Sequence, residues 1–294
     1  MAADRVSAFT SDKARARFLS RYDTALDRLW PVERDTADIG TTFGTARVYR
    51  SGPSGSVPVV LLPGAGGGAL MWYRYVARLA EARPVFALDP VGEPGGGRQD
   101  APIVDGRDVA RCLNDVLGAL DIDHAHLVGS SYGGWTALQH EIHHPGRAAT
   151  ITLLDPAGFA RLSAKTMMWI IAGGLAGLGP APLRRQAARW LNNPTLRDDE
   201  IMRLVVASMS FRRRLPAPAM FQDDDLRAVT TPTLALLGER SQLHDAAHVA
   251  ARIRTLVPAA RVDVVPGAGH ALPIGPPHLP DRIAAFLDTA DTRT

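Results

Sequence analysis

The chain has 294 residues, 46% hydrophobic and 21% charged, with a net charge of +3. That is the profile of a globular protein long enough to bury a core without disulfides. The single cysteine, Cys112, excludes an intramolecular disulfide framework and a cysteine-rich zinc site.

In chain order, residues 12–29 read as an amphipathic helix with Ser11 as N-cap and Phe18, Leu19, Tyr22, Leu26 and Leu29 on one side. Residues 42–49 and the apolar run 57–62 read as strands, 72–82 as a helix, and 84–88 as a strand ending at Asp89. The Gly/Pro-rich stretch 90–97 reads as a loop. Helix 105–120, strand 126–129, helix 132–144 and strand 149–154 follow. Between 157 and 227 the rhythm breaks. That segment shows no clear strand, and helical spacing returns only at 183–191 and 198–208. Strand 233–237, helix 246–256, strand 261–265 and helix 279–287 complete the chain.

Alternating strands and helices imply an α/β fold with a mostly parallel sheet and helices on both faces. The expected organisation is a core of residues 1–156 and 228–294 with a helical lid, 157–227, inserted into it. The lid holds 11 basic and 6 acidic residues, so the positive charge is concentrated there. No basic tract interleaved with aromatics points to a nucleic-acid partner. The first 13 residues carry Asp4, Arg5, Asp12 and Lys13 without an apolar core, so no secretory signal is read and a cytoplasmic location is expected. No apolar run is long enough for a stable membrane insertion. Oligomeric state carries no signature.

The strongest chemical signal is Leu127-Val128-Gly129-Ser130-Ser131-Tyr132-Gly133-Gly134. It places Gly-x-Ser-x-Gly between a strand and a helix, the context of a nucleophile elbow with Ser131 at its tip. The tight turn needs small residues two positions either side, and the amide of Tyr132 then points at a developing oxyanion. The turn Pro63-Gly64-Ala65-Gly66-Gly67-Gly68 follows another apolar strand and can supply a second amide, from Ala65. It lacks the Gly-Lys-Ser/Thr ending of a phosphate loop. His270, in Gly267-Ala268-Gly269-His270, follows the last strand at the sheet end where α/β sites lie, and is the expected general base.

These features resemble the α/β-hydrolase fold superfamily from about Thr42 onward. The resemblance implies Ser131 as nucleophile, His270 as base, and the Ala65 and Tyr132 amides as the oxyanion hole. It implies a carboxylic ester hydrolase acting on a small ester or lactone through an acyl-enzyme, with no cofactor. Carbon–carbon hydrolysis, acyl transfer or perhydrolysis on the same triad, and a binding protein with a degraded site, are the alternatives. Two departures stand out. Pro63 occupies a position where the family often has histidine. Where the family usually has its acid, in Gly238-Glu239-Arg240-Ser241, this chain has Ser241. Asp155, at the end of the preceding strand, is the expected substitute, as in some branches of the superfamily; Asp245 and Glu239 are the other candidates.

His140-Glu141-Ile142-His143-His144 matches the His-Glu-x-x-His pattern of zinc proteases. It lies at the far end of the helix that starts at the elbow, and no third ligand follows, so no metal is expected. Cys112 reads as a packing residue. Met167, Met168 and Trp169 in the lid, with Trp72, are expected to line an apolar substrate pocket.

Overall fold

The computed structural model describes residues 5–161 and 164–292. The reading of the first 13 residues falls partly on residues 1–4, outside those described. The elements in order are β1 (Ala8–Phe9), α1 (Asp12–Leu29), β2 (Asp35–Thr41), β3 (Gly44–Ser51), β4 (Val59–Leu62), α2 (Val76–Leu79), β5 (Val85–Asp89) and β6 (Arg98–Gln99). They continue with α3 (Gly106–Ala119), β7 (Ala125–Ser130), α4 (Tyr132–His143) and β8 (Ala148–Leu154). Residues 157–227 carry α5 (Ala164–Gly177), α6 (Ala181–Trp190), α7 (Asp199–Ser208), β9 (Phe211–Arg212) and α8 (Asp223–Arg227). The chain closes with β10 (Thr233–Gly238), α9 (Ala246–Leu256), β11 (Ala260–Val265) and α10 (Leu279–Asp291).

The main sheet runs β11-β10-β8-β7-β4-β5-β3-β2, parallel from β11 to β5, with β3 and β2 antiparallel at one edge. The central strands are apolar throughout because both faces are covered. Side-chain alternation sorts them. Val60, Leu62, Leu127, Leu153, Ala235 and Leu237 pack toward α3, α4 and α9, while Val59, Leu61, Val128, Leu154, Leu234 and Leu236 pack toward α1, α2 and α10. Each fully buried aliphatic side chain contributes roughly 1.5–3 kcal/mol. Short polar caps start the covering helices: Ser11 accepts from the Ala14 N–H and Asp105 from the Asp108 N–H.

The structure departs from sequence expectation at four places. The hairpin strand β2 was not anticipated: at an exposed edge, Asp-Thr-Ala-Asp-Ile-Gly-Thr needs no apolar face. The helix expected over 72–82 shortens to a 3₁₀ turn, Ala69–Trp72, and the four-residue α2. There Asp89 and Tyr22 capture the amides of Ala69 and Leu70. The segment 157–227 does contain a strand, since β9 pairs with β1 near the N-terminus. Finally, α5 runs unbroken through Gly173 and Gly174.

In α5 the large side chains Met167, Met168, Ile170, Ile171 and Leu175 are exposed, and the buried positions are the small residues Thr166 and Gly177, with the methyl of Met202 filling the space a side chain at 177 would take. No described helix is long and apolar enough to cross a membrane.

Candidate active site

Parallel β7 delivers Ser131 to the end of the sheet. Its φ of 51° and ψ of −111° lie in a region that costs a non-glycine residue strain. The turn is held by the Ser131 N–H donating to the Leu154 carbonyl at 2.9 Å, and by the Ser131 carbonyl accepting from Trp135 and Ala157 at 3.1 Å each. The glycines are steric requirements. A methyl at Gly129 would overlap the backbone of Gly133 and Gly134, and one at Gly133 would fall onto the Leu62 carbonyl. The Ser131 hydroxyl then stands over the N-terminus of α4, where helix amides and dipole favour negative charge.

His270 lies on the turn after β11, its N–H donating to Gln242 Oε1 at 3.1 Å. Its Nε2 accepts from Ser131 Oγ at 3.0 Å and its Nδ1 donates to Asp155 Oδ2 at 2.6 Å. Asp155 ends β8 with φ 48° and is fully buried. Its Oδ1 accepts from the Gly238 N–H at 3.0 Å, and Oδ2 also accepts from the Ser241 hydroxyl at 2.5 Å. Burial pushes the Asp155 carboxyl up, but the hydrogen bond and charge of His270, the charge of His244 and the Ser241 hydroxyl outweigh it, holding the group below the usual carboxylate range. The other two carboxylates have different partners. Asp245 caps α9 by accepting from the His248 N–H, and Glu239 accepts from the Gly267 N–H.

The glycine turn after β4 packs Gly64 against the Ser131 side chain, a Cβ on it lying 3.5 Å from Ser131 Cβ. Among the described residues, the amides of Ala65 and Tyr132 donate to no protein acceptor, whereas the next amide, Gly66, donates to Glu93 Oε2 at 2.9 Å. Asp89 organises the floor beneath. Its two oxygens accept from Tyr22, the Ala69 N–H, Tyr49 and the Gly96 N–H.

The expected pocket residues do not converge. Trp72 is fully buried in the core, edge-on to Tyr75, because the shortened α2 turns it toward α1 and α10. Met167 and Met168 face outward. Only Trp169 approaches the chemistry, edge-on to the His270 ring at 6.4 Å, its indole N–H donating to the Leu191 carbonyl. An apolar cavity of about 50 Å³ lies behind Tyr132 on the α3 side, lined among others by Leu62, Pro63, Gly133, Cys112 and Leu215 but by neither Ser131 nor His270. Burial pushes the Cys112 thiol up to about 12, which suits a packing residue.

Sequence reasoning missed Ser241 as a hydrogen-bond donor, His244, whose buried Nε2 sits 3.5 Å from Asp155 Oδ1, and Glu93. The only available signal for Ser241 was its place where a carboxylate was expected. The His-Glu-x-x-His segment has a different character. His140 is fully buried without a hydrogen-bond partner, Glu141 accepts from Thr231, and among the described residues no three His, Cys, Asp or Glu side chains are placed to share an ion.

Residues 59–288 fit the model of the alpha/beta hydrolase family. The chain belongs to that family. It is 26% identical to carboxylesterase YbfK of Bacillus subtilis over 289 residues, covering 95% of this chain and 96% of that protein. The crystal structure of naproxen esterase (carboxylesterase NP) from Bacillus subtilis superposes with a TM-score of 0.83 at 26% identity, over 95% of this chain and all of that one. A 2-hydroxymuconate semialdehyde hydrolase of Pseudomonas is 31% identical over 208 residues, 63% of this chain and 71% of that protein. This likeness over nearly the whole chain to named carboxylesterases supports the chain as an alpha/beta hydrolase enzyme.

Proposed function

We propose that this hydrolase cleaves carboxylic esters through an acyl-enzyme. The observation that carries the reading is the continuous Ser131–His270–Asp155 hydrogen-bond chain. In the first step Ser131 Oγ attacks the ester carbonyl carbon and His270 Nε2 takes its proton. The resulting oxyanion lies between the Ala65 and Tyr132 amides, each such donor being worth about 2.7–4 kcal/mol in the transition state. His270 returns the proton to the departing alkoxide, leaving the acyl group on Ser131. Water, deprotonated by His270, then attacks the acyl carbon and releases the acid and Ser131. Asp155 keeps the proton on Nδ1 and stabilises the imidazolium.

The near-full-length relatives named carboxylesterases support ester hydrolysis. A series of p-nitrophenyl esters from acetate to octanoate, with fluorophosphonate labelling of Ser131, tests the reading. Turnover with labelling is expected; an enzyme inert to both overturns it. Carbon–carbon hydrolysis is a second reading, favoured by the 31% identity to the semialdehyde hydrolase. Turnover of 2-hydroxymuconate semialdehyde well above that of every ester would select it.

A further inference from the structure

Glu93 and Arg213 lie outside the hydrogen-bond chain of Ser131, yet together they touch both segments that hold the unengaged amides. Glu93 is 4% exposed, on the loop after β5. Its Oε2 accepts from the Gly66 N–H at 2.9 Å, one residue beyond the Ala65 amide. Its Oε1 accepts from Arg213 Nε at 2.8 Å. The Arg213 guanidinium carbon stands 4.5 Å over the ring of Tyr132, whose amide is the other donor. Both Tyr132 Oη and Arg213 Nη2 are buried without a hydrogen-bond partner.

The arginine is itself held in place. It follows β9, which pairs with β1, and the next residue's N–H donates to Ser7 Oγ at 2.8 Å. The Ser7 N–H in turn donates to Gln99 Oε1 at 2.8 Å, on the segment that follows the Glu93 loop. The N-terminal residues, the insertion and the β5–β6 connection thus form one frame around the amide turn.

We propose that Glu93 and Arg213 are positioning residues of the oxyanion hole: Glu93 orients the Gly64–Gly66 turn, and Arg213 cancels the charge that Glu93 brings there. Gly66 has φ 73° in a largely exposed turn, so the Glu93 contact is what orders its amide. A buried carboxylate one peptide away from an oxyanion donor opposes negative charge on the substrate, and more strongly in a dry site than in water. Burial also pushes the Glu93 carboxyl up, and the Arg213 charge and the Gly66 N–H act against that rise. A guanidinium bonded to Glu93 and stacked on Tyr132 removes the opposition while leaving the hydrogen bond to Gly66 in place.

This inference rests on the ester-hydrolase reading, and a charge-reversal-free double-mutant cycle tests it. The variants are Arg213→Met, Glu93→Gln and the pair, assayed on p-nitrophenyl butyrate with active sites counted by a fluorophosphonate. Arg213→Met is expected to lower kcat about 10–100-fold with KM changed less than about threefold, a smaller loss than removal of an oxyanion donor. Glu93→Gln keeps an acceptor for Gly66 and is expected to lose less. The double variant is expected to recover to within about fivefold of the parent, and Arg213→Lys, which keeps the charge, to within about threefold.

If Arg213→Met does not fold, Arg213→Lys against Arg213→Gln carries the same comparison. An active parent enzyme with kcat of Arg213→Met unchanged, or a double variant no better than Arg213→Met, overturns the inference and leaves the ester reading standing. A parent enzyme inert to ester and probe removes both.

Discussion

The two ends of helix α4 each hold histidine beside acid, and they have opposite characters. At its N-terminal end, His270 has a hydrogen-bond partner on each ring nitrogen, Ser131 and Asp155. At its C-terminal end, His140 has none on either nitrogen, and its nearest ring neighbour is another histidine, His144, at 5.6 Å. Burial drives His140 down to about 3, with the neighbouring His144 and Arg147 adding to the effect, so the ring is neutral at every ordinary pH. Residue type is the same at both ends. The difference lies in whether the second ring nitrogen meets a carboxylate, which fixes the tautomer and supports a positive charge.

The largest test of this contrast is Ser131→Ala. Ester hydrolysis is expected to fall by about 10⁶-fold, with the melting temperature nearly unchanged because alanine keeps the Cβ and with it the backbone strain at the elbow's tip. Activity that survived in Ser131→Ala and vanished with a chelator would move the chemistry to the other end of the helix.

Asp155→Asn comes next. It keeps the shape and hydrogen-bonding capacity at the end of β8 but offers His270 an amide in place of a charge. A drop in kcat of about 10⁴-fold is expected, against less than about threefold for Asp245→Asn, which only loosens the cap of α9. Equal effects of the two substitutions would show that the contact of Asp155 with His270 does not drive turnover.

Ser241→Ala is expected to cost about tenfold in kcat, the scale of one hydrogen bond to a charged group, and Ser241→Thr to restore most of it. The hydroxyl at the position where a carboxylate was expected donates to the displaced one, so the β10 loop still serves the acid.

What could be read from the sequence follows from how local each signal is. Ser131 sits in a five-residue pattern whose glycines are forced by contacts with the adjoining backbone. Asp155 could be proposed because strand ends on one edge of a parallel sheet meet, whatever the loop lengths. Glu93 and Arg213 are 120 residues apart, and neither segment carries a pattern that names the other. The direction of α5 was illegible for a different reason. Thr166 to Gly177 contains no charged residue to mark the outside, so Met167, Met168 and Trp169 read alike, although two face solvent and one faces His270. Trp72 was misplaced because its helix was read as three turns long, when Asp89 and Tyr22 had already claimed the amides that would start it.

The smallest expected effect on activity is at His140, where the effect on stability is instead distinct. His140→Leu is expected to leave kcat within about twofold, since the ring lies at the far end of α4 from Ser131. Stability separates the two ends by pH. In the unfolded chain a histidine takes up a proton below its ordinary value of 6.5, whereas folded His140 stays neutral down to about 3. Within that window the unfolded state binds the extra proton, so the stability this group allows above 6.5 is lost as pH falls, by about 1.4 kcal/mol per pH unit. Leucine has no proton to gain, and it removes two buried nitrogens that no partner satisfies. Urea midpoints measured between pH 7.5 and 4.5 are therefore expected to fall less steeply for His140→Leu than for the parent, with the variant at least as stable at the acid end. An unchanged slope would mean that the folded protein protonates His140 as readily as the unfolded chain does. The far end of α4 would then be open to a proton, and the contrast with the Asp155-backed His270 would rest on geometry alone.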